Sequence, residues 1–123
     1  MTKVLYVDDD DDIREIAVMS LQLDQSFDVQ SCSSGAEAVA VASRWQPDLI
    51  LLDVMMPQMD GPSTLRALRS GNTPCPAPVV FVTARTHSAE VSELIALGAL
   101  GVIPKPFDPM TLAEKAKSFV IAG

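Results

Sequence analysis

The chain is poor in the residues that most often announce chemistry. Its 123 residues include one histidine and two cysteines. His87 falls at the start of an expected helix and reads as an exposed residue, not as an acid–base or phosphohistidine centre. Cys32 and Cys75 lack the spacing of a metal or redox pair, so two ordinary thiols in a reduced, cytoplasmic setting are expected. Positive charge is also scarce. Nine Lys and Arg stand against 16 Asp and Glu, a net charge of −7. That balance argues against a nucleic-acid backbone or an anionic membrane as main partner. No apolar run is long enough to span a bilayer. The opening "MTKVLYVDD" has neither the apolar core nor the cleavage site of a signal peptide, and Met1 reads as a native start.

What is present suffices for a core. The composition is 48% hydrophobic and 20% charged, which fits one ordered domain over residues 1–123. Short apolar runs at Val4–Val7, Asp28–Cys32, Leu49–Leu52, Val79–Val82 and Leu100–Ile103 read as strands. The first, third and fourth hardly alternate, as expected of strands buried on both faces of a parallel sheet. Helical spacing lies between them. Ile13, Ile16, Ala17 and Leu21 form one stripe, and Ala36, Val39, Ala40, Ala42 and Trp45 a second. Leu65, Ala67 and Leu68 mark a third, Ala89, Val91, Leu94 and Ile95 a fourth, and Leu112, Ala116, Phe119 and Val120 a fifth. Gly35 opens the second helix, Pro62 suits a first helical position, and Gly98 ends the fourth helix. "GNTPCPAP", residues 71–78, reads as a connection. This (βα)5 alternation predicts an α/β, doubly wound fold, a parallel sheet with helices on both faces and right-handed crossovers. Ligands of such sheets sit at the carboxyl ends of the strands, near the point where strand order reverses.

The stretch "VLYVDDDDDIREI", residues 4–16, sets five aspartates directly after the first strand. Like charges so crowded require a cation nearby or must point apart. Asp8 and Asp9 follow strand 1, Asp53 strand 3, Thr83 and Ala84 strand 4, and Lys105 strand 5. Three carboxylates, a hydroxyl and a lysine therefore gather at one end of the sheet. Carboxylate oxygens suit a hard cation such as Mg²⁺. Lysine and threonine suit a phosphoryl group, and an aspartate beside both can act as a nucleophile toward a phosphoryl donor. Asp11 or Asp12 is expected to cap helix 1. Met55, Met56 and Met59 cluster after Asp53, covering it or facing a partner. Asp60 and Gly61 read as a turn before helix 3, and Trp45 as packing on the end of helix 2.

The motifs "VDDD" (7–10), "LLDVMMPQMDG" (51–61), "VTA" (82–84) and "PKPF" (104–107) occur in this order over nearly the whole chain. Together they resemble the receiver domains of two-component response regulators, chemotaxis regulators among them. The resemblance implies a flavodoxin-like five-stranded sheet in the order 2-1-3-4-5. It implies a phospho-acceptor at Asp53 and Mg²⁺ held by Asp8, Asp9, Asp53 and the backbone carbonyl of Met55. Lys105, Thr83 and Ala84 would contact the phosphoryl group, and the Lys105-Pro106 bond would be cis. The donor would be a histidine kinase or a histidine phosphotransfer protein. The output would be an unknown protein effector, since no output domain is expected after helix 5.

Many receivers carry Tyr or Phe three residues before the strand 5 lysine, a ring that moves with the threonine to report phosphorylation. Here that position is Val102, so the Thr83–Val102 switch must work differently. Met55 and Arg85, two residues beyond Asp53 and Thr83, border the expected path of attacking water. Two rivals stand beside the receiver reading. A degenerate receiver would act by protein contact without phosphate, which the complete Asp, Thr and Lys set opposes. A haloacid-dehalogenase-type phosphatase would need an acid two residues after Asp53, where Met55 stands. No turnover of external substrate is expected.

Overall fold

The computed structural model describes residues 1–71 and 74–122. Strands β1 (Thr2–Val7), β2 (Phe27–Cys32), β3 (Leu49–Asp53), β4 (Val79–Thr83) and β5 (Gly101–Pro104) alternate with five helices. These are α1 (Asp11–Leu21), α2 (Gly35–Trp45), α3 (Gly61–Arg69), α4 (Ser88–Ala96) and α5 (Leu112–Ala122). All strand pairs are parallel, in the order β2-β1-β3-β4-β5. The fold is the flavodoxin-like arrangement expected. Of the connection over 71–78, positions 72 and 73 lie outside the described residues.

Alternation along the strands divides the core. Leu5, Val7, Ile50, Leu52, Val79 and Phe81 face Ala38, Val41 and Ala42 of α2, Leu65 and Leu68 of α3 and Leu94 of α4. Val4, Tyr6, Leu49, Leu51, Val80, Val82 and Ile103 face Ala17 and Leu21 of α1 and Leu112 and Ala116 of α5. β3 and β4 are buried at every position, as their unalternating sequences require.

Several helix faces differ from the sequence reading. Asp10 caps α1, not Asp11 or Asp12; its carboxylate accepts from the N–H groups of Asp12 and Ile13 at 3.0 and 3.1 Å. In α1 the buried face is Ala17, Ser20 and Leu21, while Ile16 is 46% exposed. In α2 the buried residues are Gly35, Ala38, Val41 and Ala42, and Ala36 and Ala40 face out. Alanine packs on either face, so periodicity in an alanine-rich helix carries little phase. α4 buries only Leu94, with Ala89 and Ile95 exposed. Its N-cap, His87, makes no side-chain capping bond, and Gly98 turns the chain out of it at φ 110°, a region that favours glycine. β5 begins at Gly101, leaving Leu100 exposed.

The turn into α3 is tightly built. Asp60 accepts from the N–H of Ser63 at 2.8 Å, and the N–H of Gly61 donates to the carbonyl of Val54 at 2.9 Å. A Cβ at Gly61 would meet the Asp53 carbonyl oxygen at 2.6 Å and Val54 Cα at 2.9 Å. Both are backbone atoms. Gly61→Ala is therefore expected to cost about 1–3 kcal/mol, read as a lower urea midpoint at unchanged slope. An unchanged midpoint would show that the β3–α3 loop yields freely.

Candidate functional site

β1 and β3 are neighbours at the reversal of strand order, since β2 lies outside β1 and β4 outside β3. Val7 pairs with Leu52, so Asp8 and Asp53 come level, one step beyond. Asp8, Asp9 and Asp53 each offer an oxygen within 4.8 Å of the others. Asp8 is wholly buried, Asp53 is 6% exposed, and Asp9 is open to solvent. Lys105 follows β5, its N–H donating to the carbonyl of Thr83 at 2.9 Å. Its Nζ reaches Asp8 Oδ2 at 2.8 Å and Asp53 Oδ1 at 3.3 Å. The Lys105–Pro106 bond is cis.

Asp8 is held from every side. Its N–H donates to the carbonyl of Cys32 at 3.1 Å, its Oδ1 accepts from the N–H of Asp10 at 3.0 Å, and its carbonyl accepts from Arg14 Nη1 at 2.9 Å. The Tyr6 hydroxyl donates to Asp8 Oδ2 at 3.1 Å. The sequence reading took Tyr6 as one more apolar strand residue and passed over Arg14. A signal for Tyr6 was available: residues two apart on a strand share a face, so a phenol at position 6 lies beside the carboxylate at position 8.

Thr83 is buried at the end of β4, and its Oγ1 accepts from the N–H of Arg85 at 3.0 Å. Phe81 pairs with Val102, so alternation sets Thr83 and Val102 on one face of the sheet, opposite Tyr6 and Leu51. Val102 is half-buried against the α2–α3–α4 side of the core. Ala84 is exposed and borders an apolar hollow of about 390 Å³ with Ile13, Lys105 and Phe107. The methionines separate: Met55 is 63% exposed, Met56 is in the core, and Met59 lies against Gly35. Trp45 sits at the far end of the sheet, where Lys3 Nζ donates to its carbonyl at 3.1 Å. His87 is exposed. Cys32 and Cys75 are buried free thiols; burial foremost, with Glu37 nearby, pushes the Cys32 thiol up to about 12.

The electrostatics follow from this crowding. Burial, then the Asp8 charge, pushes Asp53 up to about 6, against the downward pull of Lys105. Burial acts to lower the Lys105 ammonium, but the two carboxylates outweigh it and hold it above its usual value. Burial and the Asp8 carboxylate raise the Tyr6 phenol, which stays protonated as a donor. Three carboxylates against one ammonium leave two negative charges uncompensated, the charge of one divalent cation. The donor set is all oxygen, which fits a hard cation such as Mg²⁺.

A carboxyl whose folded pKa is raised stabilises the fold while protonated and loses that contribution as pH climbs through about 6. In EDTA, Asp53→Asn is therefore expected to be more stable than wild type at pH 7.5 by roughly 1–3 kcal/mol. The gap should narrow as pH falls toward 4. Urea melts at several pH values check this; a gap independent of pH would contradict the raised pKa.

Comparison with known proteins agrees with this geometry. A model of the response regulator receiver domain matches residues 4–117. Transcriptional regulatory protein CseB of Streptomyces avermitilis is 36% identical over 117 residues, covering 95% of this chain and 48% of that protein. DNA-binding response regulator MtrA of Mycolicibacterium smegmatis is 32% identical over 116 residues, covering 94% and 49%. The chain thus spans about half the length of the curated relatives it matches. The solved chemotaxis response regulator CheY4 of Vibrio cholerae superposes with a TM-score of 0.87 at 35% identity, covering 97% of this chain and 98% of that one. With the parallel order β2-β1-β3-β4-β5, the acidic cluster between β1 and β3 and the family match over residues 4–117, the chain belongs to the response regulator receiver family of two-component signalling.

Proposed function

We propose that this receiver accepts a phosphoryl group on Asp53 in a Mg²⁺-dependent reaction and passes the signal on by protein contact. The observation that carries the reading is Lys105 Nζ bridging Asp8 and Asp53 where three carboxylates converge. Asp8, Asp9, Asp53 and the Met55 carbonyl would hold Mg²⁺, which when bound supplies charge neutralisation and alignment for phosphoryl transfer. An Asp53 oxygen attacks phosphorus. The bond from phosphorus to the donor's imidazole nitrogen breaks as the new O–P bond forms, and the donor leaves as a free histidine. Lys105 turns its ammonium to the phosphoryl oxygens, Thr83 donates its hydroxyl, and the Ala84 N–H adds a backbone donor. The small Ala84 side chain leaves the approach open.

The donor fits a histidine kinase or a histidine phosphotransfer protein, and the site lies in the cytoplasm under this reading. No external substrate is turned over, because Met55 stands where a phosphatase of this chemistry would need an acid. The signal leaves through the face that holds Thr83 and Val102. Movement of Thr83 toward phosphate shifts the balance between two existing arrangements of α4 and β5. Val102 lacks a ring to swing, so packing of α4 itself carries the change. The acidic surface, net −7, favours a protein over a nucleic acid as the immediate contact of this module.

Intact mass after incubation with acetyl phosphate and Mg²⁺ tests the chemistry. Wild type should gain one phosphoryl group, and Asp53→Asn or EDTA-treated protein none. Lys105→Met should still bind Mg²⁺ but label about 10²-fold more slowly or worse. No gain in wild type, where a control receiver labels, would remove Asp53 as acceptor.

A further inference from the structure

Tyr6 is the chain's only tyrosine, and it is wholly buried. Its ring stands edge-on to Phe107, centroids 6.4 Å apart at 71°, within the core that also holds Ala17, Leu51 and Leu112. Its hydroxyl and the ammonium of Lys105 share one acceptor, Asp8 Oδ2, at 3.1 and 2.8 Å. The two donors differ in freedom. Lys105 is a point charge on a flexible four-carbon stem. The phenol cannot withdraw without repacking a close-packed core.

We propose that Tyr6 is a positioning residue of the cation site, holding the Asp8 carboxylate in place when Lys105 leaves it for a phosphoryl group on Asp53. This rests on the reading of the site given above. When Lys105 turns away, Asp8 Oδ2 loses its charged hydrogen-bond donor, and the buried carboxylate is freer to turn about its own bond. A neutral donor that stays put satisfies one lone pair and fixes the carboxylate plane, with the Asp10 N–H on Oδ1 as second support. It adds no charge to compete with the incoming cation. Partners one step behind metal ligands typically change affinity by about 10–100-fold. Tyr6 stands in that relation to Asp8.

The test is Mg²⁺ binding to the unphosphorylated chain by calorimetry. Tyr6→Phe keeps the ring and removes one oxygen, and should weaken binding about 10-fold. Phe107→Leu disturbs the ring's packing but spares the hydroxyl, and should bind as wild type does. In a Lys105→Met background, which mimics the departed lysine, the loss from Tyr6→Phe should be larger than in wild type, because no side-chain donor remains on Asp8 Oδ2. A purely structural role would not produce that coupling. A readout without substitution comes from 3-fluorotyrosine labelling. One tyrosine gives one ¹⁹F resonance, which should move on Mg²⁺ addition with the calorimetric midpoint. Equal affinities of wild type and Tyr6→Phe, an equal loss in Phe107→Leu, or a ¹⁹F resonance unmoved by saturating Mg²⁺ would each overturn the role of Tyr6 alone. Failure of wild type to bind Mg²⁺ would overturn the cation site and this role together.

Discussion

Three carboxylates within reach of one cation, two of them buried, repel one another more strongly than any pair on the surface would. The end of the sheet is organised around that repulsion. Lys105 crosses from β5 to stand between Asp8 and Asp53, the Tyr6 hydroxyl and the Asp10 N–H occupy the two Asp8 oxygens, and Asp53 still titrates well above an ordinary carboxyl. The run of five aspartates divides accordingly. Asp8 and Asp9 enter the site, Asp10 turns back to cap α1, Asp11 pairs with Arg14, and Asp12 sits in the first turn, where negative charge meets the positive end of the helix. A run that would repel itself as a solvated string is spread over three directions within two turns of chain.

The pleat of the sheet sorts the site residues onto two faces. Tyr6, Leu51 and Ile103 pack with α1 and α5, and Asp8, Asp53 and Lys105 continue these rows. Phe81 and its partner Val102 point the other way, toward α2, α3 and α4, and Thr83 continues the Phe81 row. The one-residue step along β4 from Val82 to Thr83 is thus a step from one side of the molecule to the other. Val102 lies on the same face as Thr83, without the bulk of an aromatic ring.

The five strands and the gathering of Asp8, Asp9, Asp53, Thr83 and Lys105 at one end were legible in the sequence, because short apolar runs alternating with helical stripes allow few alternatives; the strand order came only from the family resemblance of the motifs. What escaped was phase. In α1 and α2, isoleucine and alanine satisfy either side of a helix, and the choice is made by neighbours: Gly35 lies where a Cβ would strike Thr64 and Met59, which fixes how α2 rolls on α3. Capping also depends on a fine contest among adjacent aspartates, decided by which one has extended backbone. The site was read at the ends of strands, so Tyr6, two residues earlier and apparently apolar, was invisible until its hydroxyl could be seen on Asp8. Methionines at 55, 56 and 59 looked like one group and serve three surroundings.

Among the described residues, α4 is the helix with the fewest buried side chains. One buried leucine anchors it, its N-cap His87 makes no side-chain capping bond, and Ile95, with Leu97 and Leu100 beyond its end, is partly exposed. Native proteins open in cooperative pieces, each with its own free energy, and the cheapest pieces are those with few buried apolar side chains. α4 can therefore detach or re-seat while the five-stranded sheet keeps its full stability. Re-seating α4 then has to outweigh only the small free energy of a loosely seated helix, not that of the whole domain. The loosely seated helix and the stable sheet are different pieces of chain.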